Sequence, residues 1–397
     1  MKSPGVFLVL TLLGLLGLRG WSKPLPTVLP PGAEQPVAPG YKDASALPTL
    51  EWNRSPAIHR VEYGSNGFIE VAHALILVPK EATVAKQLAF SLEAVKGAFA
   101  RREKLHEVDV SVYAAETFDG FGGPPPLLTA SVPKSRLREF ASLGVDFERL
   151  WLSDNPAQFL PFPRPPISRR ERWPVFEGEE GELQAQRRHQ AASRPERATG
   201  LYFHGPSDRR EAALTFDDSP HPLYEPLLLD SLRRAGVRAT FFCIGRNSRV
   251  YPYFIRDMLQ DGHELGNHTY HHVRLPGLKN DQVIQEILLT NQVLESILAM
   301  PVRLFRPPGG DYSNQTLQCA RETGMTTVFW TDDPGDFDNP GDSVIEERLL
   351  ENLRPGGIVL LHDNVEETLQ VLPTFVRLAE REGYRLLPVG QMIEEDR

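Results

Sequence analysis

Leu214-Thr215-Phe216-Asp217-Asp218 is an apolar run that stops abruptly at two adjacent carboxylates. A short apolar stretch bounded by turn residues reads as a buried strand. Successive side chains on a strand point to opposite faces, so two acids at its tip can do different jobs, one holding a cation while its neighbour accepts a proton. The same residues, Asp-Asp-Ser-Pro, are also ordinary turn chemistry, and a strand followed by an Asx turn needs no function at all. What surrounds the stretch decides between these readings.

From about Gly200 to the C-terminus, apolar runs alternate with amphipathic helical patterns. The expected strands are Ala212 to Phe216, Ala239 to Phe242, His263 to Gly266, Leu304 to Arg306, Thr326 to Trp330, Ile358 to His362 and Arg385 to Leu387. Helical spacing covers Leu223 to Ala235, Val250 to Gln260, Gln282 to Met300, Asn314 to Thr323, Val344 to Leu353 and Glu366 to Glu382. Gly236, Gly262, Gly324 and Gly383 follow four of these helices, as left-handed stops do. Alternation of this kind predicts an α/β architecture with a parallel sheet covered by helices, here a distorted (β/α) barrel of about seven or eight units. Chemistry in such a barrel sits at the C-terminal ends of its strands.

The polar clusters fall on those ends. Asp217 and Asp218 follow the first expected strand, Asn267-His268-Thr269-Tyr270-His271-His272 the third, and Arg306-Pro307-Pro308-Gly309-Gly310 the fourth. Asp333 and Asp336 follow the fifth, and His362-Asp363 the sixth. Scattered surface charges have no reason to choose one rim. His268 and His272, four residues apart, share a face of a helical turn, and with one carboxylate they make a two-nitrogen, one-oxygen metal site with open positions. His271 faces elsewhere and reads as a residue behind the ligands or at the surface. Backbone N–H groups of the glycine turn after Arg306 offer donors to an oxyanion.

Upstream, a smaller α+β unit is expected from Glu51 to Pro166, with strands at Ile69 to Val78, Val108 to Tyr113 and Leu127 to Val132. Val84, Leu88, Leu92, Val95 and Phe99 recur at helical spacing, and Val108 to Tyr113 alternates as a half-buried strand does. No set of residues in this unit suggests a chemical role. It is flanked by a proline-rich tether over 23–50 and a charged linker over 167–204, whose Arg, Glu and Gln read as a solvated segment.

The chain has 397 residues, 41% hydrophobic and 24% charged, the balance of a folded globular protein of about two domains. A net charge of -9 argues against nucleic acid or anionic lipid as general partners and leaves neutral glycans unopposed. Lys2 followed by the apolar run Val6 to Leu18 predicts export to the periplasm, envelope or exterior. Residues 1–22 then form a signal peptide or an uncleaved membrane tether, although the run is short against the roughly 20 residues of a span. Cys243 and Cys319 read as buried thiols rather than a disulfide or metal pair.

The order Thr-Phe-Asp-Asp, His-Thr-x-x-His, Arg-x-Pro-x-Gly, Asp-x-x-Asp and Leu-x-His over about Glu211 to Met392 resembles the polysaccharide deacetylases with a NodB homology domain, the carbohydrate esterases of family four. The resemblance implies a deformed (β/α) barrel and metal-dependent removal of acetyl groups from sugars. It casts Asp217 as general base, Asp218, His268 and His272 as metal ligands, and Arg306 as the partner that keeps Asp217 ionised. Asp336 holds His362, the general acid; Pro308 and Gly310 shape the groove wall, and Leu360 lines the pocket for the acetyl methyl. Two positions depart from the family pattern: Gly309 replaces an aromatic residue, which removes a wall from the groove, and Phe337 replaces tryptophan, which keeps an apolar cap.

These readings predict a hydrolase that removes N-acetyl groups from an acetylated polysaccharide, such as peptidoglycan or a chitin-like N-acetylglucosamine polymer, using zinc, cobalt or manganese. The same machinery would serve an O-acetyl esterase acting on a xylan-type glycan. A different class, a non-catalytic glycan-binding wall protein, keeps the barrel as a docking module.

Overall fold

The computed structural model describes residues 47–52, 55–120, 123–153 and 200–396. The expected signal or anchor, and the tether and linker apart from 47–50 and 200–204, lie outside the described residues.

Two sheets organise the molecule. The first contains β1 (Ile58–Ser65), β2 (Glu70–Val78), β3 (Leu105–Ala114), β4 (Leu128–Pro133) and β5 (Leu150–Leu152) in that spatial order. Only β2 and β3 run parallel, and parallel strands need a crossover, which α1 (Val84–Arg101) supplies. The helix forms where expected, but its buried stripe is Gln87, Ser91, Ala94, Val95, Ala98 and Phe99, while Val84 is exposed. Small residues at 94 and 98 let the helix lie close on the sheet, and that contact sets its rotation. Phe140 of α2 (Leu137–Leu143) completes the same core.

β3 corrects the half-buried expectation, because every residue from Val108 to Ala114 is buried. The face opposite α1 lies against helices of the second sheet. Ser111 shares a 2.9 Å hydrogen bond with the Tyr251 hydroxyl, Thr129 donates to the Val250 carbonyl, and Arg149 pairs with Asp257 at 2.8 Å. Asn66 donates to the Leu227 carbonyl and to Asp230, each at 2.9 Å. Trp151 joins a cluster with Val250, Tyr251, Tyr253 and Phe254. Ser111 and Thr129 can alternate with apolar residues on these strands because they meet hydrogen-bonding partners, not water.

In the second sheet all pairs are parallel, in the order β12–β7–β8–β9–β10–β11–β6 with β13 also on β7. The strands are β6 (Leu201–Tyr202), β7 (Glu211–Ser219), β8 (Thr240–Cys243), β9 (Glu264–Asn267), β10 (Leu304–Phe305), β11 (Thr326–Val328), β12 (Gly357–His362) and β13 (Arg385–Leu387). Among the described residues no ladder closes the sheet; an isolated bridge joins Asp332 to Val359, and the Leu360 N–H donates to the Asp332 carbonyl at 2.8 Å. This makes a distorted (β/α) barrel, as expected. β13 borders β7 at Glu211 to Ala213 and β8 borders it from Thr215 onward.

The helices are α3 (Tyr224–Ala235), α4 (Gly245–Val250), α5 (Pro252–Gln260), α6 (Asn280–Leu298), α7 (Asn314–Glu322), α8 (Asp342–Asn352), α9 (Glu366–Arg381) and α10 (Val389–Glu395). The helix expected over Val250 to Gln260 is two helices, because Pro252 excludes Tyr251 from the α conformation and opens α5 as its first residue. All four expected glycine stops have positive φ. Both cysteines are buried free thiols.

Alternation along β7 separates two cores. Leu214 and Phe216 face the helical shell, while Ala213 faces the interior with Phe242, Leu304, Val328 and Ile358. Val389 and Met392 of α10 fill the lower end of that interior. With the floor packed, only the upper rim is open to chemistry. Replacing Trp151, 3% exposed, with alanine should remove about 3–5 kcal/mol of packing and lower the calorimetric melting temperature.

Candidate active site

The two acids of β7 do not sit on a regular strand tip. The register opposite β8 slips between Asp217 and Ser219, and Asp218 has φ 77°, a left-handed conformation that aspartate tolerates better than most residues. This bulge re-aims Asp218 so that both carboxylates approach His268 Nε2, Asp217 at 3.6 Å and Asp218 at 3.4 Å. Strict alternation had placed them apart.

His268 and His272 meet Asp218 through a loop rather than the expected helical turn. Thr269 (φ 65°) and His272 (φ 56°) are left-handed, a strained state for a β-branched residue. Side chains hold the loop: Asn267 Oδ1 accepts from the Thr269 N–H at 2.8 Å, and Thr269 Oγ1 accepts from the His272 N–H at 3.1 Å. One ligand atom from each of Asp218, His268 and His272 lies within 4.8 Å of the others.

The donor set fits a divalent cation. His268 Nδ1 faces the Arg306 carbonyl at 2.8 Å and must donate to it, which turns the Nε2 lone pair toward Asp218. His272 Nε2 stands 3.1 Å from Asp218 Oδ1, an oxygen that has no hydrogen-bond partner although it is buried. Burial drives His272 down to about 3, so the ring is neutral and its lone pair available. Desolvation opposes ionisation of Asp218, yet the adjoining His272 and His268 outweigh it and hold the carboxyl at about 2. Burial lowers His268, but the Asp217 and Asp218 carboxylates raise it on balance, so a proton and a cation compete for Nε2.

Arg306, fully buried, donates from Nη1 to Asp217 Oδ1 at 2.7 Å and to Thr215 Oγ1 at 2.9 Å. Its guanidinium lies 4.1 Å from the centre of the Phe242 ring. Across the β7–β12 ladder, His362 is the direct neighbour of Asp217. Asp336 Oδ1 faces His362 Nδ1 at 2.8 Å, and its Oδ2 accepts from the His362 N–H at 2.8 Å and from Thr368 Oγ1 at 2.7 Å. Burial by itself lowers His362; Asp336, with Asp218 and Asp217 behind it, overcomes that and raises the ring to about 10. The ring therefore carries a proton at neutral pH.

Phe337 caps this histidine, ring centres 5.3 Å apart. Leu360 is buried and shares the inward face of β12 with His362. Pro308 is buried, Gly309 is exposed, and a Cβ on Gly310 would lie 2.6 Å from the Trp330 ring. Trp330 is thus a wall residue that reading it as the end of a strand concealed. The oxyanion expectation is corrected in part: the Gly310 N–H donates to the Pro307 carbonyl and the Asp311 N–H to that of Pro308. Asp333 stays exposed and accepts from the Gly335 N–H in a turn.

His271 is buried rather than at the surface, its Nδ1 2.6 Å from Glu286 Oε1. Glu286 Oε2 also accepts the Tyr270 and His271 N–H groups, at 3.0 and 2.8 Å. Its only sequence signal is a carboxylate on the stripe of α6 that buries Val283 and Ile287. Glu225, on α3, was missed in the same way, and it lies beside Asp363, which the sequence had placed at a strand end without a role. Both are buried: desolvation and repulsion from Asp363 raise Glu225, while desolvation and repulsion from Asp218 raise Asp363 against a hydrogen bond from Glu225 that lowers it, so the pair carries less than two full charges.

A profile of the polysaccharide deacetylases matches residues 204–328. A peptidoglycan-N-acetylglucosamine deacetylase of Bacillus cereus is 35% identical over 193 residues, 47% of this chain and 90% of the relative. A chitooligosaccharide deacetylase of Azorhizobium caulinodans is 35% identical over 191 residues, 44% of this chain and 91% of the relative. A solved peptidoglycan N-acetylglucosamine deacetylase superposes with a TM-score of 0.48 and 29% identity, over 49% of this chain and 92% of that one.

Arg306→Met should leave the Asp217 carboxylate buried without its cation and cost about 3–5 kcal/mol, read from denaturant unfolding. Zinc at about 100 times its dissociation constant should stabilise the fold by about 2.7 kcal/mol in a thermal-shift titration. His272→Ala should abolish that gain.

Proposed function

The chain belongs to the polysaccharide deacetylases, hydrolases acting on amide bonds, and from that premise we propose that it removes N-acetyl groups from an N-acetylglucosamine polymer of the envelope. The observation that carries this reading is that Asp217 and His362 are cross-strand neighbours, each held by a buried partner of opposite charge, beside the Asp218–His268–His272 set.

Amides resist hydrolysis because the carbonyl is weakly electrophilic and the nitrogen leaves poorly. A divalent cation held by Asp218, His268 and His272 supplies Lewis acidity and lowers the pKa of water; zinc suits the donors, with cobalt or manganese as substitutes. Arg306 engages Oδ1 of Asp217, so Oδ2 is the atom that takes the proton of the attacking water. His362, protonated at neutral pH, gives its proton to the departing nitrogen, and Asp336 stabilises the charged ring before transfer. The C–N bond breaks, the acyl carbon gains the water oxygen, and acetate and a free amine result. Leu360 receives the acetyl methyl on the inward face of β12. A proton poised for the leaving group matters more for an amine than for an alcohol, which favours N- over O-deacetylation. Pro308, Gly310 and Trp330 form one wall, and Gly309 leaves that wall low.

Export accords with a polymeric substrate outside the cell. Among the described residues no helix is long and apolar enough to cross a membrane. The partner is an acetylated glycan, not nucleic acid.

Acetate release from N-acetylglucosamine oligomers and from O-acetylated xylan tests the reading. The wild type should act on the first in preference to the second, and Asp217→Asn or His362→Ala should each lower the rate by about 100-fold or more. Unchanged rates in both variants, with glycan binding intact, would show a binding module instead.

A further inference from the structure

A cleft opens where the two sheets' units meet. Its volume is about 510 Å³ including its open solvent mouth. Tyr113, at the end of β3, and Pro125, in the β3–β4 connection, form one side; Arg246, Arg249 and His271 belong to the barrel rim. The first unit, which its sequence left without a chemical role, thus contributes to a lined cavity.

The cleft is built on the loop that carries the candidate metal ligands. The Gly245 N–H donates to the Thr269 carbonyl at 2.9 Å and the Arg246 N–H to that of Tyr270 at 3.1 Å, which ties the start of α4 to the segment before His272. His271 lines the cleft, is 3% exposed, and its Nε2 has no hydrogen-bond partner. Because Nδ1 must donate to the Glu286 carboxylate, the ring is fixed in direction, with Nε2 turned away from Glu286. Arg246 and Arg249, both half-buried, bring guanidinium groups to the same cavity. Their planar forks match a carboxylate in geometry as well as charge. With the chain at -9 overall, two local arginines suit an isolated carboxylate better than a dense polyanion.

We propose that this cleft is an accessory glycan subsite for a carboxylate-bearing sugar adjoining the residue that loses its acetyl group. The arginines bind the carboxylate, His271 Nε2 hydrogen-bonds a sugar hydroxyl, and the Pro125 ring offers apolar surface to the pyranose. The adjoining position rests on the deacetylase reading; the carboxylate preference does not.

The test uses calorimetry on the zinc-loaded full chain carrying Asp217→Asn, so that bound oligosaccharide is not turned over. Four tetrasaccharides are compared: one alternating N-acetylglucosamine with N-acetylmuramic acid, the same with its carboxylates converted to methylamides, one alternating N-acetylglucosamine with glucuronic acid, and chitotetraose. At least one carboxylated tetrasaccharide should bind tenfold or more tightly than chitotetraose, and methylamidation should erase that advantage for the muramic compound. The two carboxylated arms tell an ether-linked acid from a ring acid. Arg246→Gln with Arg249→Gln should lower the preference at least tenfold, and lysine at both positions should restore part of it. Equal binding of carboxylated and neutral sugars by the arginine-containing protein overturns the proposal, as does no measurable binding of either carboxylated sugar. That comparison needs no arginine variant and so stands even if the double variant misfolds. Acetate release by the Asp217-containing chain is measured in parallel: none from any glycan refutes the deacetylase reading, while the calorimetric preference still decides the subsite.

Discussion

A guanidinium sealed from solvent governs the upper half of the barrel. Removing Arg306 from water costs several kcal/mol before any contact is made, so the surrounding strands must offer a full set of acceptors. Asp217 and Thr215 of β7 meet Nη1, the Val328 and Phe329 carbonyls lie 3.3 Å from Nε and Nη2, and the Phe242 ring covers a face. The backbone carbonyl of the same residue fixes the tautomer of His268. One side chain and its own peptide group thereby couple the orientation of the candidate base to that of a candidate ligand. The arrangement exists only if β7, β8, β10 and β11 end at matching heights.

Around this centre the backbone is locally strained. Asp218, Thr269 and His272 are all left-handed, a state that costs on the order of 1–3 kcal/mol per residue. Short polar bridges compensate: Asn267 and Thr269 hold the loop internally, and Glu286 accepts two of its amides as well as the His271 ring. Asn267 is anchored in turn by the Ile287 carbonyl and Asn291 of α6. The loop is rigid because buried side chains from a helix satisfy it, so the ligands need not be ordered by the cation alone.

The first sheet adds a constraint of another kind. With α1 on one face and barrel helices on the other, its strands are buried on both sides, and the polar residues of the second face become connectors. Such a contact sets the β3–β4 connection beside the barrel rim, where Tyr113 and Pro125 share a cavity with His271.

Much of this was legible in the chain itself. The alternation of strands and helices, the glycine stops, and the placement of Asp217, Asp218, His268, His272, Arg306 and His362 at strand ends follow from periodicity and turn chemistry, which are local properties. Local rules could not show that Asp218 sits in a bulge, that the histidine pair spans a loop, or that Val84 faces solvent while Gln87 and Ser91 are covered. Those outcomes depend on which surfaces meet. Glu286, Trp330 and the buried side of β3 likewise acquire their roles from residues distant in sequence. By itself the sequence determined which side chains stand at the strand ends and so which chemistry is available. Tertiary structure alone decided how those groups are aimed and shielded, because burial and long-range hydrogen bonds arise only when separate segments pack.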